Sequence, residues 1–529
     1  MSGNNMFYTV MRVKGRYYLY KGIYVNGRKK LIYVGPCDVA EQLLSARRSG
    51  AVTDENLKSV RKRTRSEGPS SSWLGRRPDA AEVRGSNPRG PTTHSARLSP
   101  YLSSLTAEVI LEGFRFYTSS TPANQDMPVR SHNPLDLAVG MLYYSRPDVF
   151  LGTSARTVLS PSTFKVFERV YGLGIARPPG GQESYTYSCP SGSRILVVVC
   201  KRGVSTFDVM EELSDLGFRV FFWGLKDAGA YSCQFVVLSC PTSLAIPRYL
   251  LNGAAELFPL GEVGPGFRVG RHQLAGNLFE VLVEVTGGCV EELSARIIRS
   301  GASPYLNYFG YQRFGYARPV NHLIGRAIAL GDYGGALHLL LGRPFSLESP
   351  EVQLARRLFE EGDYRGALER LPRSLRLERR VLREYLRLGN PRKALLRSVS
   401  PSLLRFLVEA YQSYLFNLAL SRVFENLGDV EEVARNCELL DLPRPSLPTS
   451  GCSRYSAEVI AEDLGGSIGS VDTSLLSAYA RETTFTVESL STEPVSEGTL
   501  TLRFELRRGS YAIVYLRELL REGLTLGSL

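Results

Sequence analysis

The sequence predicts an α+β fold: a mixed, mainly antiparallel sheet, interrupted by a mainly helical inserted domain. Three observations carry this. Residues 101–300 alternate strand-like and helix-like stretches. Residues 318–480 then turn helical. Finally, Leu500-Thr501-Leu502-Arg503-Phe504-Glu505-Leu506 alternates apolar and polar residues as a strand does, so the chain returns to the first sheet. The expected divisions are 1–50, a small hairpin and helix; 51–100, a disordered basic linker; 101–334, the first part of the sheet domain; 335–485, the helical insertion; and 486–529, the second part.

The elements follow in order. Residues 7–35 hold two or three short strands, with Val25-Asn26-Gly27-Arg28 as a hairpin signal, and a short helix spans 38–48. Residues 49–100 are rich in Ser, Arg, Gly and Pro and carry the basic run Arg61-Lys62-Arg63-Thr64-Arg65. Residues 135–141 open the folded part, and 160–170 form a strand after a proline turn. Arg194 to Cys200 is a buried strand, and Thr206 is the expected N-cap of the next helix. A strand pair is expected around Gly276-Asn277. Gly331-Asp332-Tyr333-Gly334-Gly335-Ala336-Leu337 recurs as Gly362-Asp363-Tyr364-Arg365-Gly366-Ala367-Leu368, with an echo at Gly389 to Leu395. Two and a half units read as helical hairpins, with a peptide-binding repeat or extended scaffold as the alternative. Residues 410–422 make an amphipathic helix, 443–451 a loop, and 509–520 a turn and helix.

At 529 residues, two to four domains are expected, and 43% hydrophobic residues suffice for their cores. A net charge of +12 favours a polyanionic partner such as nucleic acid. With no signal peptide and no run of 18 apolar residues, a soluble cytoplasmic protein without a membrane partner is expected. None of the eight cysteines forms C-x-x-C, so no zinc ribbon is indicated, and most read as small core residues. Lysine is scarce, ten against 54 arginines, and after residue 100 only Lys165, Lys201, Lys226 and Lys393 remain.

The chemistry centres on Phe221 to Gln234, FFWGLKDAGAYSCQ. A buried strand stops at Gly224, and Lys226 and Asp227 follow before a small-residue turn. A carboxylate at the end of a buried strand is rigidly held and partly desolvated, which suits an acid, base or nucleophile. The alternative is a Lys-Asp pair capping a strand end. Asn307 to Tyr316 places five aromatics in ten residues beside Arg313 and Gln312. Aromatic faces stack on bases and arginine pairs with phosphate, although a packed aromatic loop gives the same pattern. The arginine run from Arg373 to Arg392 reads as a solvated helix face or an RNA-backbone contact.

Four segments together resemble the TruD family of tRNA pseudouridine synthases, the archaeal branch most closely. They are Gly224-Leu225-Lys226-Asp227 with Gln234; Asn307 to Gly315; Tyr411-Gln412-Ser413-Tyr414-Leu415-Phe416-Asn417; and Gly509-Ser510-Tyr511-Ala512 with Arg517-Glu518. Their order and spacing match from about residue 135 to the end. The resemblance implies a catalytic pseudouridine synthase domain split by a family-specific helical insertion. It implies conversion of uridine to pseudouridine in tRNA, typically at position 13, without cofactor or metal. Asp227 would be the nucleophile or base, its charge favoured by Lys226 or a nearby arginine. Phe309 would stack on the flipped-out uracil and Asn307 would order the loop near Asp227, with Lys226 and Phe164 at the substrate. Arg313 would be a phosphate contact or a structural pair. A monomer is expected. The chain departs from the family's Gly-x-x-Lys/Arg and Pro-x-Asp-Phe pattern, with Ala155, Val158 and Thr163 at those positions and Arg156 two residues out of register. A weakened enzyme or a non-catalytic tRNA-binding protein of the same fold is therefore the alternative reading. The N-terminal hairpin ending in Tyr33-Val34-Gly35-Pro36 resembles the start of some archaeal integrases, and Ala81 to Gly90 resembles translated tRNA gene sequence. That implies a fused fragment, or else a basic arm that helps hold RNA.

Overall fold

The computed structural model describes residues 7–13, 16–25, 28–36, 128–152, 155–180, 187–226, 228–286, 290–301, 303–315, 318–346, 348–445, 451–465, 471–496 and 498–526. The expected helix at 38–48, the linker at 51–100 and the stretch resembling tRNA gene sequence lie outside them. The N-terminal unit is a three-stranded antiparallel sheet of Phe7–Val13, Arg16–Val25 and Arg28–Pro36. Val25 stands opposite Arg28, the register of a two-residue hairpin.

The larger unit is built on one twelve-stranded sheet. Its strands include β1 (Ala155–Leu159), β2 (Phe164–Val170), β3 (Arg194–Lys201), β4 (Arg219–Phe222), β5 (Tyr231–Ser239), β6 (Ala255–Glu262), β7 (Leu274–Val285), β8 (Glu488–Ser496), β9 (Thr499–Arg507) and β10 (Leu524–Leu526). The main path runs β6-β3-β5-β2-β7-β9-β8. β5 runs parallel to β2 and β10 parallel to β1, while the neighbouring pairs along the rest of that path are antiparallel. The sheet is thus mixed and mainly antiparallel. β3 is buried on both faces, as its run of five apolar residues and a cysteine requires. Ile195, Val197 and Val199 pack under helix α1 (Thr206–Asp215), while Leu196, Val198 and Cys200 pack with Trp223, Phe235 and Phe258 on the other face.

Several local readings change. Ser205, not Thr206, caps α1, in a capping box with Asp208. Gly276 does not turn a strand pair; it lies inside the continuous β7, where a Cβ would meet the Leu506 carbonyl oxygen at 2.1 Å. Only glycine lets β9 approach there. Six cysteines are joined as Cys189–Cys240, Cys200–Cys233 and Cys437–Cys452, so they are more than core fillers.

The helical block joins paired helices through the repeated motif. α2 (Asn321–Ala329) and α3 (Tyr333–Leu341) meet at Gly331-Asp332; α4 (Pro350–Glu360) and α5 (Tyr364–Arg370) meet at Gly362-Asp363; α6 (Arg376–Leu388) and α7 (Pro391–Ser398) meet at Gly389-Asn390. Each glycine takes positive φ, and each Asp or Asn caps the next helix. The repeat therefore encodes a helix stop followed at once by a helix start. α8 (Pro401–Leu427) is longer than the expected 410–422, and from Ala410 to Ser421 only Tyr414 is not fully buried. Over that stretch it is a central helix, buried on all sides with Gln412, Ser413, Asn417 and Ser421 among its buried residues, instead of an amphipathic one. After α9 (Ser453–Leu464) the chain returns to β8 and β9 and ends in α10 (Ala512–Leu520) and β10.

Candidate active site

The end of β4 leads into Gly224-Leu225-Lys226 and then Asp227, which itself lies outside the described residues. The residues on both sides are held tightly. The Lys226 ammonium is 2.6 Å from Glu168 Oε1, and Glu168 Oε2 accepts the Phe235 amide at 3.0 Å. The Lys226 amide donates to Thr206 Oγ1 at 2.9 Å, and that hydroxyl donates to Gln234 Oε1 at 2.9 Å. Gln234 Nε2 donates to the Gly224 carbonyl at 3.2 Å. Lys201 Nζ donates to the Lys226 carbonyl at 3.0 Å and the Val204 carbonyl at 2.9 Å. Beyond position 227, the Ala228 carbonyl accepts the Gly203 amide at 3.1 Å. Five residues outside the stretch, Glu168, Lys201, Gly203, Thr206 and Gln234, converge on it. The fit at Gly224 is close: a Cβ would stand 3.2 Å from Leu274 Cδ2 and 3.3 Å from both Glu168 Oε1 and Lys226 Nζ, so those side chains would have to shift by a few tenths of an ångström.

Lys226 is only 7% exposed and its charge is answered by Glu168, so in this structure it offers no surface to a substrate. Phe164 is buried as well. At 4% exposure it belongs to a ring stack that continues through Phe279, Phe504 and Tyr515, with centroid spacings of 5.9, 5.1 and 4.9 Å. The stack packs α10 onto the sheet, which is the ordinary fate of an inward-facing aromatic on a half-covered strand.

Asn307, Phe309 and Arg313 come together in a second cluster. Asn417 Oδ1 accepts the Phe309 amide at 2.8 Å and its Nδ2 donates to the Phe309 carbonyl at 3.1 Å. Asn307 Nδ2 donates to the Glu482 carbonyl at 3.0 Å. Arg313 is paired with Glu409 at 2.7 Å and lies over Phe406, which makes it structural in this conformation. Tyr311 donates to the Asp136 carboxylate, which also meets Arg517 Nε at 2.6 Å and Ser131 Oγ at 2.5 Å. Those buried partners anchor the aromatic loop to residues 131–136 and to α10.

Sequence reasoning missed Arg481. Its Nη2 donates to Asn307 Oδ1 at 2.7 Å, and Nε and Nη2 each donate to the Asn307 carbonyl at 3.1 Å. The guanidinium sits 4.1 Å over the Phe309 ring and is also near Phe416 and Tyr511. Burial pushes its pKa down from the ordinary arginine value. Among the described residues it has no carboxylate within ion-pair distance, so its direct contacts are carbonyls, an amide oxygen and ring faces. Nothing around Arg481 in the sequence marks it, because its hydrogen-bond partners lie more than 170 residues away.

In the loop that departs from the family pattern, Val158 is 50% exposed and Arg156, on the same face of β1, is bonded to Glu284 at 2.9 Å. Thr163 closes a turn on Ser160 and on the Val158 carbonyl. Among the described residues no group of three or more His, Cys, Asp or Glu side chains could hold a metal ion, and no helix is long and apolar enough to cross a membrane.

Comparison with known proteins places this architecture. The family model described as "tRNA pseudouridine synthase D (TruD)" matches residues 139–438. A Saccharolobus solfataricus protein described as "Probable tRNA pseudouridine synthase D" is 30% identical over 397 residues, covering 73% of this chain and 97% of that protein. A Halobacterium salinarum protein of the same description is 30% identical over 450 residues, covering 74% and 99%. The crystal structure of a Methanosarcina mazei protein described as "Putative tRNA pseudouridine synthase D (TruD)" superposes with a TM-score of 0.50 at 22% identity, covering 74% of this chain and 98% of that one. That likeness carries the fold. With a family model over more than half its length and relatives matched almost end to end, the chain belongs to the TruD family.

Proposed function

We propose that this chain is a tRNA pseudouridine synthase that isomerises uridine, at position 13, with Asp227 as its reacting carboxylate. The observation that carries this is the family match across 139–438, which spans both the strand end at 224–228 and the aromatic loop at 307–315. The reaction breaks the glycosidic C1′–N1 bond, turns the uracil, joins C5 to C1′, and exchanges the proton lost from C5 for one gained at the freed N1. It is balanced within the substrate. Asp227 attacks the sugar or removes a proton from it. The bonds holding 226 and 228 support this role, since a nucleophile works only when held near its attack geometry. Phe309 is 3% exposed here and receives the flipped uracil only once its ring is uncovered, a stack worth roughly 1–3 kcal/mol. Because Arg481 lies over that ring here, a stacked base takes the guanidinium's place and leaves it to meet a phosphate. The protein works as a cytoplasmic monomer.

Purified protein incubated with tRNA transcript is expected to form pseudouridine, and Asp227→Ala to abolish it while tRNA binding persists. Absence of product with wild-type protein on every tRNA of its own cell would sink the proposal. The exposed Val158 and the engaged Arg156 favour one second reading, a tRNA-binding protein with weak or lapsed turnover. It expects salt-sensitive tRNA binding without product, and fails if Asp227→Ala lowers cellular pseudouridine.

A further inference from the structure

The helical hairpin α6–α7 concentrates charge. Residues 371–400 hold eight arginines and Lys393 against only Glu378 and Glu384, a net of +7 (9 − 2) in 30 residues, when the whole chain carries +12. The structure sorts these groups. Arg379 turns inward and caps the Leu368 and Leu371 carbonyls. Arg376, Arg380, Arg383 and Arg387 are exposed at spacings of four, three and four residues, so they form one ridge along α6. Lys393 and Arg397 on α7 are exposed too, and Arg397 acts on Glu384 of α6, which places it beside the ridge. The opposite face is apolar, with Val381 and Leu382 fully buried, so the hairpin is a supported element that holds its outer face in place.

Arg380, Arg383 and Arg397 make no ion pair among the described residues. A merely solvated helix face mixes signs at neighbouring positions; this one repeats a single sign with few acidic neighbours. That arrangement meets a polyanionic backbone, and phosphate is what a row of exposed guanidinium forks recognises.

The ridge has a fixed relation to the candidate site. Arg376 Nη1 lies 3.5 Å from Glu211 Oε2 on α1, the helix whose Thr206 bonds the Lys226 amide. Glu211 is five residues along α1 from Thr206, about 7.5 Å. From there α6 runs 13 residues, a length of about 20 Å. We propose that the α6–α7 ridge is a phosphate-backbone track that holds the body of the tRNA while its target uridine enters the site beside α1. This rests on the reading of tRNA as substrate.

The test is the salt dependence of tRNA binding by Arg380→Gln/Arg383→Gln/Arg397→Gln, measured in the Asp227→Ala background so that turnover does not interfere. Three lost phosphate contacts are expected to reduce the slope of log K against log salt by about 2–3. At 0.15 M salt that is a loss on the order of 10²-fold in affinity. With Asp227 intact, KM for tRNA should rise by a similar factor with kcat little changed, and the corresponding triple Lys variant should retain the wild-type slope. An unchanged slope in a folded triple Gln variant overturns the track, even if wild-type protein modifies tRNA. Wild-type protein that fails to bind tRNA at all overturns the substrate reading instead.

Discussion

Breaking the Lys226–Glu168 pair is the sharpest test of how the strand end is built. The two side chains are 4% and 0% exposed and their charged atoms are 2.6 Å apart. Lys226→Met would leave the Glu168 carboxylate buried with the Phe235 amide as its partner among the described residues. An exposed ion pair is worth about 0–1 kcal/mol, whereas stranding one member of a buried pair costs about 3–5 kcal/mol. The second figure is a large part of a domain's total stability of roughly 5–15 kcal/mol. Glu168→Gln should cost a comparable amount by stranding the ammonium. Lys226→Met/Glu168→Gln should cost less than the sum of the singles by about 2 kcal/mol or more, because it strands nothing and Gln still accepts the Phe235 amide. Urea denaturation followed by circular dichroism at neutral pH reads all four proteins. If Lys226→Met cost under about 1 kcal/mol, or the singles simply added, Lys226 would be a solvated group and the reasoning would fail. The same variants address chemistry. Since Glu168 answers the lysine's charge, the double variant should keep the acid limb of the wild-type pH profile of kcat/KM.

Three further outcomes are expected. Arg481→Ala should lower single-turnover pseudouridine formation at least tenfold, and Arg481→Lys should restore only part of it, because an ammonium cannot span Asn307 Oδ1 and the Asn307 carbonyl as the guanidinium fork does. His322 is buried against Tyr414 and Phe314, and burial pushes its pKa down to about 3 from 6.5. The unfolded chain therefore takes up this proton first as pH falls through 6.5, and folded stability drops by about 1.4 kcal/mol per pH unit, or about 2–3 kcal/mol by pH 4.5. His322→Phe should remove that share of the acid sensitivity in denaturant midpoints compared at the two pH values. Reduction of Cys200–Cys233, which closes a 33-residue loop, should cost about 3–4 kcal/mol in the chain-entropy model, seen as a lower Tm in reductant alongside thiol alkylation counted by mass spectrometry.

The parts of this molecule that were legible in its sequence are those where local chemistry dictates local structure. The run Ile195 to Cys200 can only be a strand buried on two faces, and each Gly-Asp or Gly-Asn step can only stop one helix and start another. Lysine usage also carried information. Of the four lysines after residue 100, Lys201 and Lys226 lie together in the buried cluster at the strand end, where a compact ammonium fits and a guanidinium fork does not. What stayed hidden was long-range pairing. Gly276 looks like a turn residue until β9 is laid beside it. Phe164 looks available to a substrate until Phe279 stacks upon it, with Phe504 behind. Arg481 has no local signal, since the Asn307 and Tyr308 oxygens that it bonds lie more than 170 residues away.

The placement of the helical block explains why those hidden contacts matter. Tyr305–Leu306 pairs antiparallel with Thr484–Phe485, and the Asn307 amide donates to the Thr483 carbonyl at 2.7 Å. The chain therefore leaves the sheet domain and returns to it at hydrogen-bonded neighbours. An excursion of this length adds little to loop closure, because that cost grows only with the logarithm of loop length. The neck is also where Asn307, Phe309 and Arg481 lie, so the point at which the helical block joins the sheet domain is part of the candidate site. Its backbone is tied to α8 through Asn417, and α8 packs beside α2 and α9 within the helical block. Any tilt of that block on binding a polyanion must pass through the residues that set the Phe309 ring. The proposed backbone track on α6 and the proposed stacking ring at Phe309 are thus carried by one helical block and by the neck that joins it to the sheet domain.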